Sequence, residues 1–120
     1  MFSLTSSHQY YLYRQPTDMR KGFDGLCGVV QSQMQKDPAG GHVFIFINRK
    51  RDRVKLLHWE PGGFVLYYKR LEKGTFELPV IEDQATHLPI NWDLLVMITS
   101  GISIKNIRKN KRFLPTATGA

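Results

Sequence analysis

HVFIFINRKRDRVKLLHWEPGGFVLYYKRLEK, residues 42–73, decides how this chain folds. It reads as three consecutive strands, HVFIFIN (42–48), RVKLLHWE (53–60) and FVLYYKR (64–70), because β-branched and aromatic residues dominate each run and suit a pleated, half-buried surface. Both connections are tight. Arg49, Lys50, Arg51 and Asp52 place three cations at one hairpin tip, and Pro61, Gly62 and Gly63 supply a fixed φ followed by residues that accept positive φ. An antiparallel meander follows. Val43, Ile45 and Ile47 alternate with Phe44 and Phe46, and Leu57 and Trp59 with Val54, Leu56 and His58, so neither face is polar. Each face then needs a cover, and a partner surface on one side is the alternative to two internal covers.

The covers lie outside the meander. QYYLYRQ (9–15) reads as a short strand that stops at Pro16, and Thr17 or Asp18 offers an oxygen to cap a following helix. Met19, Phe23, Leu26, Cys27, Val30 and Met34 then form the apolar stripe of a helix lying on a sheet. Cys27 is read there as a small buried hydrophobe, with no disulfide and no chemistry of its own. Gly22, Gly25 and Gly28 fall away from the stripe, each costing about 0.5–1 kcal/mol relative to alanine, so either the close approach of another backbone, a protein partner or a phosphate chain offsets them or the helix frays or kinks. Lys36 to Gly41 turns the chain into the meander. After it, TFELP (75–79) reads as a shorter fourth strand and Val80 to Ile90 as a surface connection. Asn91 caps a second helix that turns Trp92, Leu95, Val96 and Ile98 or Thr99 inward and ends at Gly101. Ile102, Ile104 and Ile107 then alternate with polar residues before a basic tail.

The expected architecture is therefore α+β: an antiparallel β-meander of about four to five strands, an N-terminal amphipathic helix, a C-terminal helix and a basic tail. At 120 residues the chain is expected to form one domain over 1–112, with 113–120 a disordered tail. No apolar run is long enough to span a bilayer and the start lacks the regions of a signal peptide, so no membrane role and a cytoplasmic location are expected.

Seventeen Lys and Arg against ten Asp and Glu give a formal charge of +7, which favours a polyanionic partner, nucleic acid first. The excess is concentrated in two places. Arg49, Lys50, Arg51 and Arg53 surround the first hairpin, and Lys105, Arg108, Lys109, Lys111 and Arg112 follow the last acid, Asp93. Arg20 and Lys21 sit at a predicted first helical turn, where the macrodipole disfavours cations, and are read as serving an external anion or acid.

Catalytic patterns are absent. The four histidines are scattered, no pair has zinc-like spacing, no glycine-rich loop joins a strand to a helix, and no Ser or Cys nucleophile is matched to a histidine by a local signature. The chain is accordingly read as a non-enzyme without metal or cofactor. Two-metal nuclease chemistry would need converging carboxylates, for which Asp24, Asp52 and Glu72 are the candidates of a third and least favoured reading.

TDMRKGFDGL (17–26), followed by GHVFIFINRKRDRVKLLHWEPGGFVLYYKRLEKGTF (41–76), closely resembles the small second-reading-frame accessory protein of the insertion sequence 66 family of bacterial transposons, often called its TnpB. The resemblance covers about residues 10–112 and falls on Met19 to Lys21 and Phe23 to Leu26, on Asn48, Arg49, Arg51 to Arg53, Lys55 and Trp59, and on Tyr68 to Gly74. It implies a role in transposition beside a separate transposase and a further small transposon protein, with DNA or the transposase as partner.

The expected function is that of an accessory protein for transposition of a bacterial insertion sequence, binding DNA backbone through the basic hairpin and tail and contacting the transposase. The alternative is a protein adapter for the transposase with no direct DNA contact. The residues expected at nucleic acid are Arg20, Lys21, Arg49, Lys50, Arg51, Arg53, Lys55, Lys69 and Arg70, with Lys105, Arg108, Lys109, Lys111 and Arg112 of the tail. Arg53 and Lys55 are expected to share a sheet face with Lys69 beside them, and Phe23, Leu26 and Trp59 to be core. Phe44, Phe46, Tyr67 and Tyr68 also offer π-faces to unpaired bases, against the commoner fate of sheet aromatics as core.

Overall fold

The structure, a computed structural model, describes residues 4–80 and 83–100. The predicted helix end at Gly101, the alternating isoleucines, the five tail cations and the 113–120 tail lie outside the described residues. In chain order the elements are β1 (Tyr10–Tyr13), α1 (Phe23–Ser32), β2 (Val43–Ile47), β3 (Arg53–Glu60), β4 (Gly63–Arg70), β5 (His87–Ile90) and α2 (Trp92–Thr99). They form one five-stranded sheet in the order β4-β3-β2-β1-β5.

The meander is present as read: β2 pairs antiparallel with β3, and β3 with β4. Two differences change the sheet from purely antiparallel to mixed. β1 lies parallel to β2, with Tyr10 opposite Val43, since α1 crosses between them and returns the chain to the same end of the sheet. The fifth strand is His87–Ile90, inside the stretch read as a connection, and it pairs antiparallel with β1. It is short and contains Pro89, which a sheet edge accepts because, among the described residues, one row of its N–H groups has no strand to bond. TFELP is not a strand. Its Phe76 is fully buried and its backbone crosses a sheet face as an irregular strap.

Residues opposite in register share a face, which sorts the core into two clusters. On one face Tyr10, Leu12, Val43, Ile45, Ile47, Val54 and Leu56 pack with Phe76 and with Leu95 and Ile98 of α2. On the other, Phe44, Phe46 and Leu57 pack with Leu26, Val30 and Met34 from α1 and its end. β2 is buried along its whole length, which explains why VFIFI has no polar position. Each such side chain contributes about 1.5–3 kcal/mol on burial.

Both sheet faces thus have an internal cover, though neither helix covers as widely as its sequence stripe predicts. α1 begins at Phe23, not at Thr17 or Asp18, and its N-cap Gly22 makes no side-chain cap. Thr17 instead donates its N–H to the Ile47 carbonyl at 2.9 Å, and Asp18 accepts from the Arg20 N–H at 2.9 Å, so both are used in the connection ahead of the helix. Phe23 is consequently 46% exposed instead of core, and Trp59 is only partly buried. In α2, capped by Asn91 as expected through a 2.8 Å bond from the Leu94 N–H, Val96 faces outward at 40% exposure. Gly28 of α1 faces open space, with nothing within 4 Å of where a Cβ would stand.

Candidate nucleic-acid interface

The β2–β3 tip is held by a side chain of its own. Asn48 follows β2 directly and accepts the N–H groups of Asp52 and Arg53 on its Oδ1, each at 3.0 Å, while its Nδ2 donates to Asp52 Oδ1 at 2.7 Å. Asparagine suits this place because its amide offers both donor and acceptor to nearby backbone. The bond from Asn48 holds the Asp52 carboxyl below its ordinary range, and Arg53 and Lys50 add to the effect. Arg51 adopts a left-handed φ of 58°, which is uncommon outside glycine. That conformation is fixed by the Arg51 N–H donating to the Asn48 carbonyl at 3.0 Å and by the Phe76 N–H donating to the Arg51 carbonyl at 2.6 Å. The Leu71 N–H also donates to the Asp52 carbonyl at 2.7 Å, so the 71–76 strap clasps the tip from behind.

Arg49, Lys50 and Arg51 all point outward from this fastened loop. Three ion pairs among the described residues engage other cations: Arg14 with Asp83, Arg20 with Asp18 and Arg70 with Glu72. A cleft of about 330 Å³ separates the tip from the connection before α1, lined by Asp18, Met19, Asn48, Arg49, Lys50 and Arg53 among others. Asp18 is pushed down to about 2 by the Arg20 guanidinium bonded to it, so both signs of charge are fixed at its mouth.

The remaining expected contacts divide sharply. Arg53 stands directly opposite Arg70, and its Nη1 donates to the Tyr68 hydroxyl at 3.2 Å. Lys55, expected beside it as a surface cation, is 7% exposed. Its ammonium donates to the carbonyls of Met19 at 2.7 Å and Lys21 at 2.8 Å and lies 4.7 Å from the centre of the Tyr68 ring, so it fastens the start of α1 to the sheet. Lys69 is opposite Val54 and therefore on the other face from Arg53; its Nζ donates to the Thr99 carbonyl at 2.6 Å, where it closes the end of α2. Arg20 and Lys21 are exposed, but they precede α1 instead of occupying its first turn.

Other chemistry is sparse. Asp24 lies in α1, Asp52 is bonded to Asn48 and Glu72 to Arg70; among the described residues no group of three or more His, Cys, Asp or Glu could hold a metal ion. His8 and His58 meet edge to face at 4.8 Å, a contact with no sequence signal since fifty residues separate them. Cys27 is partly buried, and burial pushes its thiol up. Among the described residues no helix is long and apolar enough to cross a membrane.

Two relatives from Sinorhizobium fredii (strain NBRC 101917 / NGR234) are similar along most of their length. Uncharacterized protein y4jC is 34% identical over 103 residues, 85% of this chain and 86% of the relative. Uncharacterized protein y4hO is 33% identical over 103 residues, 86% of each chain. No solved structure matches. The chain belongs to the IS66 Orf2 like protein family, whose model matches residues 8–109, and that membership supports an accessory role in transposition of an insertion sequence.

Proposed function

We propose that this protein assists transposition by holding the DNA backbone on the β2–β3 tip, leaving bond chemistry to the transposase. The observation that carries the reading is the tip itself: Arg49, Lys50 and Arg51 are exposed on a loop fastened by Asn48 and by the Phe76 strap. A loop whose backbone is already fastened loses less freedom on binding, and phosphate contacts give affinity without reading sequence. Arg53, Arg70, Lys21 and Arg20 extend the basic surface, and the five tail cations supply a second arm. On this reading the protein works in the cytoplasm, where bacterial DNA lies.

A contact with the transposase is favoured by β4, whose eight residues Gly63–Arg70 pair, among the described residues, with β3 alone. An open edge of that length accepts an added strand. Fluorescence anisotropy against transposon-end and random duplexes over a salt series tests the DNA reading. Affinity should fall steeply with salt, and changing Arg49, Lys50 and Arg51 together to alanine should flatten the log–log slope by about 0.9 per lost phosphate contact. No binding at low salt would leave the protein-adapter role in its place.

A further inference from the structure

We infer that Tyr68, with Arg53 and Arg70, forms a subsite for an unpaired nucleotide, the ring stacking on the base and the two guanidiniums holding its phosphate. The inference deepens the DNA-holding role and rests on it.

The register creates the site. Arg53 and Arg70 are direct cross-strand partners, an arrangement of like charges that destabilises a sheet unless an anion lies nearby. Glu72 answers only part of this: its carboxylate accepts from Arg70 Nε at 3.0 Å, while Arg53 bonds to the neutral Tyr68 hydroxyl. The Asp52 carboxylate also acts on Arg53, but it is bonded to Asn48, so among the described residues the one carboxylate bonded to either guanidinium is that of Glu72. These side chains and Tyr68 line an open cleft of about 280 Å³.

Tyr68 itself is the second observation. It is 52% exposed on a strand whose neighbours on that face, Phe64 and Leu66, pack against the core. An aromatic ring left out usually swings freely, but this one is tethered at its hydroxyl by Arg53 and backed by the Lys55 ammonium, itself locked to two carbonyls. A fixed, half-open ring beside two guanidiniums matches a base and its phosphate. Bases inside a duplex have both faces covered by their neighbours, so the ligand is an unpaired strand, an end or an extruded base.

The test compares a duplex, the same duplex with a short unpaired end, and a single strand of the same sequence, each carrying 2-aminopurine at one position. The unpaired position should bind preferentially and its fluorescence should be quenched by stacking. Tyr68→Leu should lower the ratio of single-strand to duplex affinity roughly 5- to 100-fold and abolish the quench, while Tyr68→Phe, which keeps the ring, should retain the quench. Circular dichroism and the urea midpoint of each variant check that it folds. Binding of duplex and single strand with equal affinity and no quench would overturn the subsite while leaving the DNA-holding role standing, whereas no binding of any strand at low salt would remove both. Loss of a transposase contact in Tyr68→Leu with the strand preference unchanged would overturn it in favour of a protein-docking ring.

Discussion

On one face of β3, Arg53 and Lys55 stand two residues apart, in a stretch of sequence that gives them equal standing as surface cations. Lys55 lies beneath the start of α1, 7% exposed, with its ammonium satisfied by two backbone carbonyls. Arg53 lies past the edge of that cover, partly open, with a phenol hydroxyl as its partner and another arginine across the strand. The covered half of the sheet spends its charge on structure, and the rim beyond it keeps charge available. A count of basic residues therefore overstates the binding surface, because cover, not residue type, decides which cations can meet a polyanion.

The sharpest way to break this comparison is Lys55→Met. It leaves the Met19 and Lys21 carbonyls without a charged donor and should cost about 3 kcal/mol, read as a lower urea midpoint at an unchanged denaturant slope. A variant of native stability with weakened DNA binding would make Lys55 a phosphate ligand and erase the distinction. Asn48→Ala is the counterpart at the rim. Three hydrogen bonds are lost, yet the freed groups lie near water, so about 1–2 kcal/mol is expected, with slower DNA association if tip order matters.

On the outer side of α1, Gly28→Ala should stabilise by about 0.5–1 kcal/mol, since a Cβ there meets nothing. A stabilised variant that no longer supports transposition in cells would mark this bare face of the helix as a contact. The smallest effect belongs to Arg20→Gln. Asp18, held down to about 2, should titrate higher but stay below the ordinary carboxylate value of about 4, because the backbone N–H of residue 20 still bonds it; NMR follows the shift. Because the folded value is the lower one, whatever stability the pair gives is present above about pH 4 and disappears as pH falls toward 2. Arg20 is almost wholly open to solvent, so the midpoint at neutral pH should hardly move.

The meander was legible because its signals are local: alternating β-branched and aromatic runs, a cationic four-residue tip, and Pro-Gly-Gly. α2 announced its start through Asn91. What misled were residues with two competing uses. Thr17 and Asp18 read as helix caps and instead bond within the connection, His87 to Ile90 read as part of a surface connection and instead form an edge strand, and Phe76 read as a strand residue and instead anchors a strap. Asn48 carries a turn signal, so its grip on the tip could have been found; the clasp from Phe76 could not, since it joins residues far apart in sequence. Phe23 and Val96 were assigned inward by helical spacing and Trp59 as a core residue of its motif, and each is only partly covered.

From the chain alone came the α+β class, the three-strand meander, the helix on the sheet and the likeness to an insertion-sequence family, all of which depend on the order of neighbouring residues. Only the tertiary structure decided that β1 runs parallel to β2, that HLPI completes the sheet, that Lys55 is sealed while Arg53 and Arg70 face each other, and that Lys69 lies on the opposite face. The physical reason is the same in each case: pairing register and the extent of a helical cover are set by contacts between segments distant in sequence, and a one-residue difference in register moves a side chain to the other face of the sheet.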